Sequence, residues 1–427
     1  MTTTNTPSPR ISRRRDTLHS FRDDPVSFLR RIAAEQGDVA TFSLDGRVIK
    51  LLAHPEAIRE VLVTKAAMLA KGPGLLRTKS LLGDGLLTAD GVQHQTDRRN
   101  LLPAFSTTAA LAEYAPIMVD ATRKLTDKWR DGETVDVHAE TTRLAIAIAS
   151  RCFFGIDLSS ESEAIAAAVT ASIQHGYRAL TRNADDNPSV TAAHAAHETL
   201  RSAARQAMTT CPMHSPPFSD GLATIPEARK LDHALTILIA GHESLSNTLT
   251  WAFYLIDQHP EVWAKLKSEV DTLNDADFDT PYPLSQRLPY ARAVFAETLR
   301  LYPSAWMLSR EAREPVEIAG TPYDSGAIVV TAPCVTHVDA RWFPDPLSWR
   351  PERWLTGERV RRNAFFPFGS GPRLCVGEPF SWVEGVLVLA LVTRHSRLKV
   401  AANFCPDYEA LVTLRPRHRM IATVSRP

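Results

Sequence analysis

The chain has 427 residues, 44% of them hydrophobic and 23% charged, with 49 Lys and Arg against 48 Asp and Glu. That length fills two or three average domains or one large one, the composition is ordinary for a soluble globular protein, and a net charge of +1 argues against a dedicated nucleic-acid binder. The five cysteines, Cys152, Cys211, Cys334, Cys375 and Cys405, are odd in number and scattered, so they suggest no disulfide framework and fit a reducing cytosol.

Residues 1–22 read as a disordered tail, because Met1 to Asp16 is rich in Thr, Ser, Pro and Arg. The run Arg13-Arg14-Arg15 reads as solvated. No apolar span long enough for a signal peptide or a membrane helix follows it, so no membrane association is expected. Pro25 to Glu35 has a helical pattern. Asp38 to Phe42 and Val48 to Leu52 alternate as a β-hairpin around Asp45-Gly46. His54-Pro55 opens a second helix, Glu56 to Val63. Ala67 to Gly85 reads as loop, with Gly72-Pro73-Gly74 as a breaker. Helical periodicity then runs to about Leu180 and breaks at Asn183 to Pro188. Cys211 to Leu222, rich in proline and serine, reads as another loop. Ala228 to Gln258 is the longest helix, ended by His259-Pro260. Pro303 to Cys334 holds short strands with turns at Gly320 and Gly326. There is no internal repeat and no clear linker, so residues 23–427 are expected to form one mainly α domain with small β-sheets.

The most informative stretch is Phe368-Gly369-Ser370-Gly371-Pro372-Arg373-Leu374-Cys375-Val376-Gly377. It sets one cysteine in a glycine-rich loop just ahead of an apolar run, Phe380 to Leu389, that reads as a helix. A thiolate there sits at the positive end of a helix dipole, among backbone N–H groups. The glycines let the backbone turn and approach a flat partner closely. Phe368 can pack over the sulfur, and Arg373 can offer a cation to a carboxylate. Those are the requirements for holding an iron porphyrin by a cysteine sulfur.

These ten residues resemble the haem-binding signature of the cytochrome P450 family, Phe-x-x-Gly-x-Arg-x-Cys-x-Gly, with every fixed position matched. The resemblance implies a haem-thiolate monooxygenase with haem b between the long central helix and the cysteine loop. Cys375 is then the axial iron ligand, with Phe368 and Gly369 beside it. It also implies the bacterial type, with electrons arriving from a separate ferredoxin and ferredoxin reductase in the cytoplasm, and with dioxygen and a small-molecule substrate as reactants.

Further motifs carry the same resemblance. Ala240-Gly241-His242-Glu243-Ser244 in the long helix resembles the family's oxygen-activation motif. Gly241 removes bulk where the helix passes over the haem face. Glu243 and Ser244 put an acid beside a hydroxyl, which together can relay protons toward dioxygen. Two departures stand out. Ser244 occupies the place where threonine is usual, and its rotamer is less constrained. Leu245 follows where a second hydroxyl is common. Glu297-Thr298-Leu299-Arg300 sets an acid and a base at i and i+3. By resemblance these join Arg353 of Pro351-Glu352-Arg353-Trp354 in a buried brace for the cysteine loop. His94 and Arg98 face the same way at i and i+4 and, with Arg310 and Arg373, resemble the family's binders of the haem propionates.

Two clusters read as ordinary structure. His194 and His197 at i and i+3 lack the order of a zinc protease and suit a polar helix face. Cys211, Met213 and His214 near three prolines read as loop residues. Positions facing the substrate follow by resemblance at Met68 to Leu76, Gln174 to Leu180, Thr236 to Ala240, Ser304 to Leu308 and Leu411 to Thr413. Trp306, Met307, Leu75 and Leu76 point to a mid-sized, partly apolar molecule such as a natural-product intermediate. Two alternatives are a peroxide-using peroxygenase and a haem-binding sensor without turnover. Neither needs the Glu243-Ser244 pair.

Overall fold

The computed structural model describes residues 14–44, 46–76, 78–181, 188–214, 216–357 and 360–426. The chain is mainly helical, as expected, with four small sheets among the described residues. Its axis is a 32-residue helix, Glu227–Gln258, about 48 Å long at 1.5 Å per residue. From His233 to Ile256 most of its side chains are buried, so it runs through the core and not over the surface. It stops at His259 because Pro260 cannot continue it, and that proline instead opens the next helix, Pro260–Asp271.

Two other helices position the site. Val137–Phe154 lies against the central helix. It begins where the Asp136 carboxylate accepts from the His138 and Ala139 amides, at 3.2 and 3.3 Å, and ends at Gly155 in the left-handed region. Glu378–His395 follows the cysteine loop, with a proline and an acid in its first turn. A five-stranded sheet flanks the helices in the order Val39–Leu44, Arg47–Leu52, Ile328–Thr331, Leu308–Ala312, Leu69–Lys71. The expected hairpin forms its edge, with Val39 opposite Leu52.

Three expectations change. The stretch 67–85 is not all loop: Leu69–Lys71 is a strand paired with Leu308–Ala312, and short helices follow it. Residues 211–222 are largely helical, in Pro188–His214 and Pro216–Ala223. Proline tolerates the first turn of a helix, and buried Phe218 gives the second one a core face. The stretch read as a tail through residue 22 contains the helix Arg14–Asp23, whose Phe21 packs on Phe28, Phe42 and Trp306. The expected break at 183–188 lies almost wholly outside the described residues.

Candidate active site

A cavity of about 200 Å³ opens beside the central helix. Ile237, Ala240, Gly241, Ser244, Leu245 and Thr248 form one wall, at the spacing that puts them on one helix face. The glycine loop forms the opposite wall, through Pro367, Phe368, Gly369, Cys375, Val376 and Gly377. Phe105, Phe153, Phe295, Leu299, Ala305 and Leu308 close much of the rest. The sequence did not single out the phenylalanines, because an apolar residue at helical spacing looks the same in a core and in a cavity wall.

The loop geometry follows from its glycines. Gly369 and Gly371 have φ of +75° and +70°, where a side chain is strained. A Cβ on Gly371 would lie 2.1 Å from the Leu62 carbonyl oxygen. The loop closes where the Cys375 amide donates to the Phe368 carbonyl at 2.9 Å. Cys375 is open to the cavity yet enclosed by protein, and the Gly377 and Glu378 amides point at its sulfur. Burial pushes the thiol up, while the Gly377 amide, Arg98 and the Glu378 amide act against that rise. A metal cation in the cavity is the charge that would leave a thiolate there.

The cations form a second, independent feature. Lys71, His94, Arg98, Arg310 and Arg373 gather around Asp90, beside the cysteine loop to which Arg373 belongs. Asp90 accepts from the Lys71 amide at 3.0 Å, from Arg373 at 2.9 Å and from Arg313 at 2.7 Å. Burial lowers Lys71 to about 7, His94 to about 4 and Arg310 to about 10, and neighbouring cations add to each effect. The Arg310 Nε is buried without a partner. Arg98 donates to the Leu374 carbonyl at 2.5 Å. Arg373 spends its guanidinium on Ala66 O, Leu69 O and Asp90. Positive charge in excess of carboxylate, with an orphaned buried donor, fits an anionic group such as a pair of propionates. With Cys375 open to the cavity and only two residues from Arg373, the residues fit haem b.

On the opposite wall, Ser244 lines the cavity and its Oγ donates to the Ala240 carbonyl at 3.2 Å. Gly241 also lines it, but a Cβ there would meet the Ala149 Cβ at 3.2 Å. Its missing side chain therefore serves close packing of the central helix on Val137–Phe154 as well. Glu243 is rotated away by one residue's turn, about 100°. It is buried, is absent from the cavity wall, and accepts from Thr413 Oγ1 at 2.8 Å and Asn247 Nδ2 at 3.2 Å. Trp306 and Met307 belong to a separate apolar cluster with Phe21 and Phe42. The Trp306 indole donates to the Leu411 carbonyl.

Glu297, Arg300 and Arg353 meet in the interior. Arg300 donates to both Glu297 oxygens at 2.9 and 2.8 Å, and Arg353 donates to one at 2.9 Å. The Trp354 indole adds a bond at 2.9 Å. His337, which no motif flagged, ties this cluster to the loop. Its Nδ1 faces the Arg300 carbonyl at 3.3 Å, and its Nε2 accepts from the Phe366 amide at 3.0 Å. Those partners set the tautomer, with the proton on Nδ1. Burial, assisted by Arg300, lowers His337 to about 3, so the ring is neutral.

The Cytochrome P450 family model matches residues 16–210 and 192–422 of the chain. Among curated proteins, the chain is 29% identical over 421 residues to "Cyclooctatin synthase" of Streptomyces melanosporofaciens, covering 93% of this chain and 89% of the relative. It is 30% identical over 396 residues to "Cyclooctat-9-en-7-ol 5-monooxygenase" of the same organism, covering 88% and 85%. With "Pentalenene oxygenase" of Streptomyces avermitilis it shares 26% identity over 428 residues, covering 94% and 93%.

Proposed function

The chain belongs to the cytochrome P450 family, whose cofactor is haem b, and on that premise we propose how its own residues carry out a monooxygenase reaction. Cys375 holds the iron as a thiolate, supported by the amides directed at its sulfur. Phe368 and Gly369 shape the wall beside it. His94, Arg98, Arg310 and Arg373 hold the propionate carboxylates. The haem, when bound, supplies the oxidising chemistry. The protein supplies protons, orientation and dryness. Ala240 and Gly241 keep the central helix low over the cavity, Ser244 presents a hydroxyl to it, and Glu243 is the proton source behind that hydroxyl. The described residues act as one unit, the helix Arg14–Asp23 included.

The observation that carries this reading is the single cavity with Cys375 on one wall and Ser244 on the other. Its largely apolar lining suits a mid-sized, partly apolar substrate of secondary metabolism. Three relatives are named for cyclooctatin, cyclooctat-9-en-7-ol and pentalenene, and the substrate of this chain is of comparable kind. Electrons come from a ferredoxin and its reductase in the cytoplasm. Among the described residues no helix is long and apolar enough to cross a membrane.

The test is turnover of a substrate found by its shift of the haem absorption band, with a ferredoxin, its reductase and isotopically labelled dioxygen. One labelled oxygen atom in the product is expected. A product formed only with added peroxide, or carrying no label from dioxygen, would contradict the proposal.

A further inference from the structure

Glu243 does not reach the cavity in this structure, and what it touches is specific. Its Oε1 accepts two hydrogen bonds, from Thr413 Oγ1 at 2.8 Å and from Asn247 Nδ2 at 3.2 Å. Asn247 Nδ2 also lies 3.3 Å from Thr413 Oγ1. The amide of Asn247 is fixed from its other side, where its Oδ1 lies 3.0 Å from His138 Nε2. An amide that accepts from the imidazole must turn its NH2 toward the carboxylate. Asn247 is fully buried and His138 half-buried, so this chain reaches from Glu243 to the start of helix Val137–Phe154.

Thr413 sits in the bend between the strands Tyr408–Ala410 and Leu414–Pro416. That bend is tethered. The Leu414 amide donates to the Ser304 carbonyl at 3.0 Å, and the Trp306 indole donates to Leu411 O at 2.9 Å. Ser304 in turn donates from its hydroxyl to the Ser244 carbonyl at 2.8 Å. The hairpin therefore carries a fixed hydroxyl to the acid and is tied to the backbone of the cavity serine.

We infer that Thr413 is a positioning residue for Glu243, acting with Asn247 and His138 to set where the carboxyl group stands relative to Ser244. Thr413 acts on the acid and not on the substrate. The inference rests on Glu243 being the proton source, as proposed above. Both donors fall on Oε1, so the carboxyl group is fixed through that oxygen. Removing the Thr413 donor frees the carboxyl group to rotate, and a proton-transfer group displaced by about 1 Å loses much of its effect.

The experiment is a double-mutant cycle on the holoenzyme, reading product formed per reductant consumed, substrate affinity from the haem band shift, and thermal stability. Thr413→Val is expected to lower the product ratio roughly tenfold, with substrate affinity and stability close to wild type. Thr413→Ser, which keeps the hydroxyl, is expected to restore it. In a Glu243→Gln background the Thr413→Val change is expected to add nothing, because residues that act through one another are not additive. Additive losses, or a loss of substrate affinity that matches the loss of product, would make Thr413 a substrate contact and overturn the inference. Thr413→Val without effect where Glu243→Gln is damaging would overturn it as well, leaving the role of Glu243 intact. A silent Glu243→Gln would overturn both.

Discussion

At the residue scale the unusual feature is a serine where the oxygen-activation motif that this stretch resembles usually has threonine. Ser244 has the hydroxyl but no methyl to restrict its rotamer, and in the structure that hydroxyl is turned back to the Ala240 carbonyl at 3.2 Å. Its own carbonyl is held by Thr248 Oγ1 at 2.9 Å and Ser304 Oγ at 2.8 Å, so the backbone is fixed while the side chain stays free to turn. Ser244→Ala is therefore expected to fold, bind haem and bind substrate, yet to release peroxide in place of product. Ser244→Thr is expected to keep or improve the yield. Product formed per reductant consumed decides it, and an unchanged ratio in Ser244→Ala would mean that protons come by another route. The sequence made Ser244 and Cys375 legible because each lies in a pattern of residue types at fixed spacing. It could not show that Glu243 turns to Thr413, since a partner 170 positions away leaves no local trace.

At the scale of elements, the cysteine loop is held by what lies under it. Glu297, Arg300 and Arg353 are each at most 2% exposed, and removing one partner from a buried ion cluster costs about 3–5 kcal/mol. His337 carries that rigidity to the loop through the Phe366 amide. Because its folded value, about 3, lies below its ordinary 6.5, the unfolded chain binds a proton there that the folded chain refuses. The stability tied to neutral His337 is thus full above pH 6.5 and lost as pH falls toward 3. His337→Phe leaves the Phe366 amide buried and unpaired, at a cost of about 1–3 kcal/mol. The variant is expected to unfold at lower temperature than wild type at pH 8 and to close the gap as the pH drops below 6.5. Thermal unfolding across that range checks it, and a constant gap would contradict it. Helices with strong periodicity, such as Glu227–Gln258, were readable to within a residue. Strand Leu69–Lys71 was not, because three residues show no period and it exists only by pairing with Leu308–Ala312. The helix Pro216–Ala223 was hidden by prolines that mark helix starts as readily as loops.

At the scale of the whole molecule, a net charge of only +1 says little about how the charges are placed. Arg99, Arg361 and Arg362 are exposed in segments next to the cysteine loop, the side from which electrons have least far to travel. Arg361 is partly engaged, 3.3 Å from Glu56 and over the Trp342 ring. Arg98 is turned inward to Leu374. Arg99 and Arg362 are therefore the better cations for meeting the electron donor, proposed above to be a ferredoxin, if that donor is acidic. Reduction is expected to slow as salt rises, because screening weakens encounter between opposite charges. Reversing both charges is expected to slow it further without changing substrate affinity. Rates indifferent to salt and to reversal would place docking elsewhere. Beneath all of this stands one claim, that Cys375 holds the iron as a thiolate beside a cluster of cations suited to two carboxylates. The most direct measurement is the absorption spectrum of the ferrous carbonyl complex. A band at the long-wavelength position of thiolate-ligated haem is expected in the native protein and should vanish in Cys375→His, whereas a histidine-type spectrum in the native protein would contradict the account.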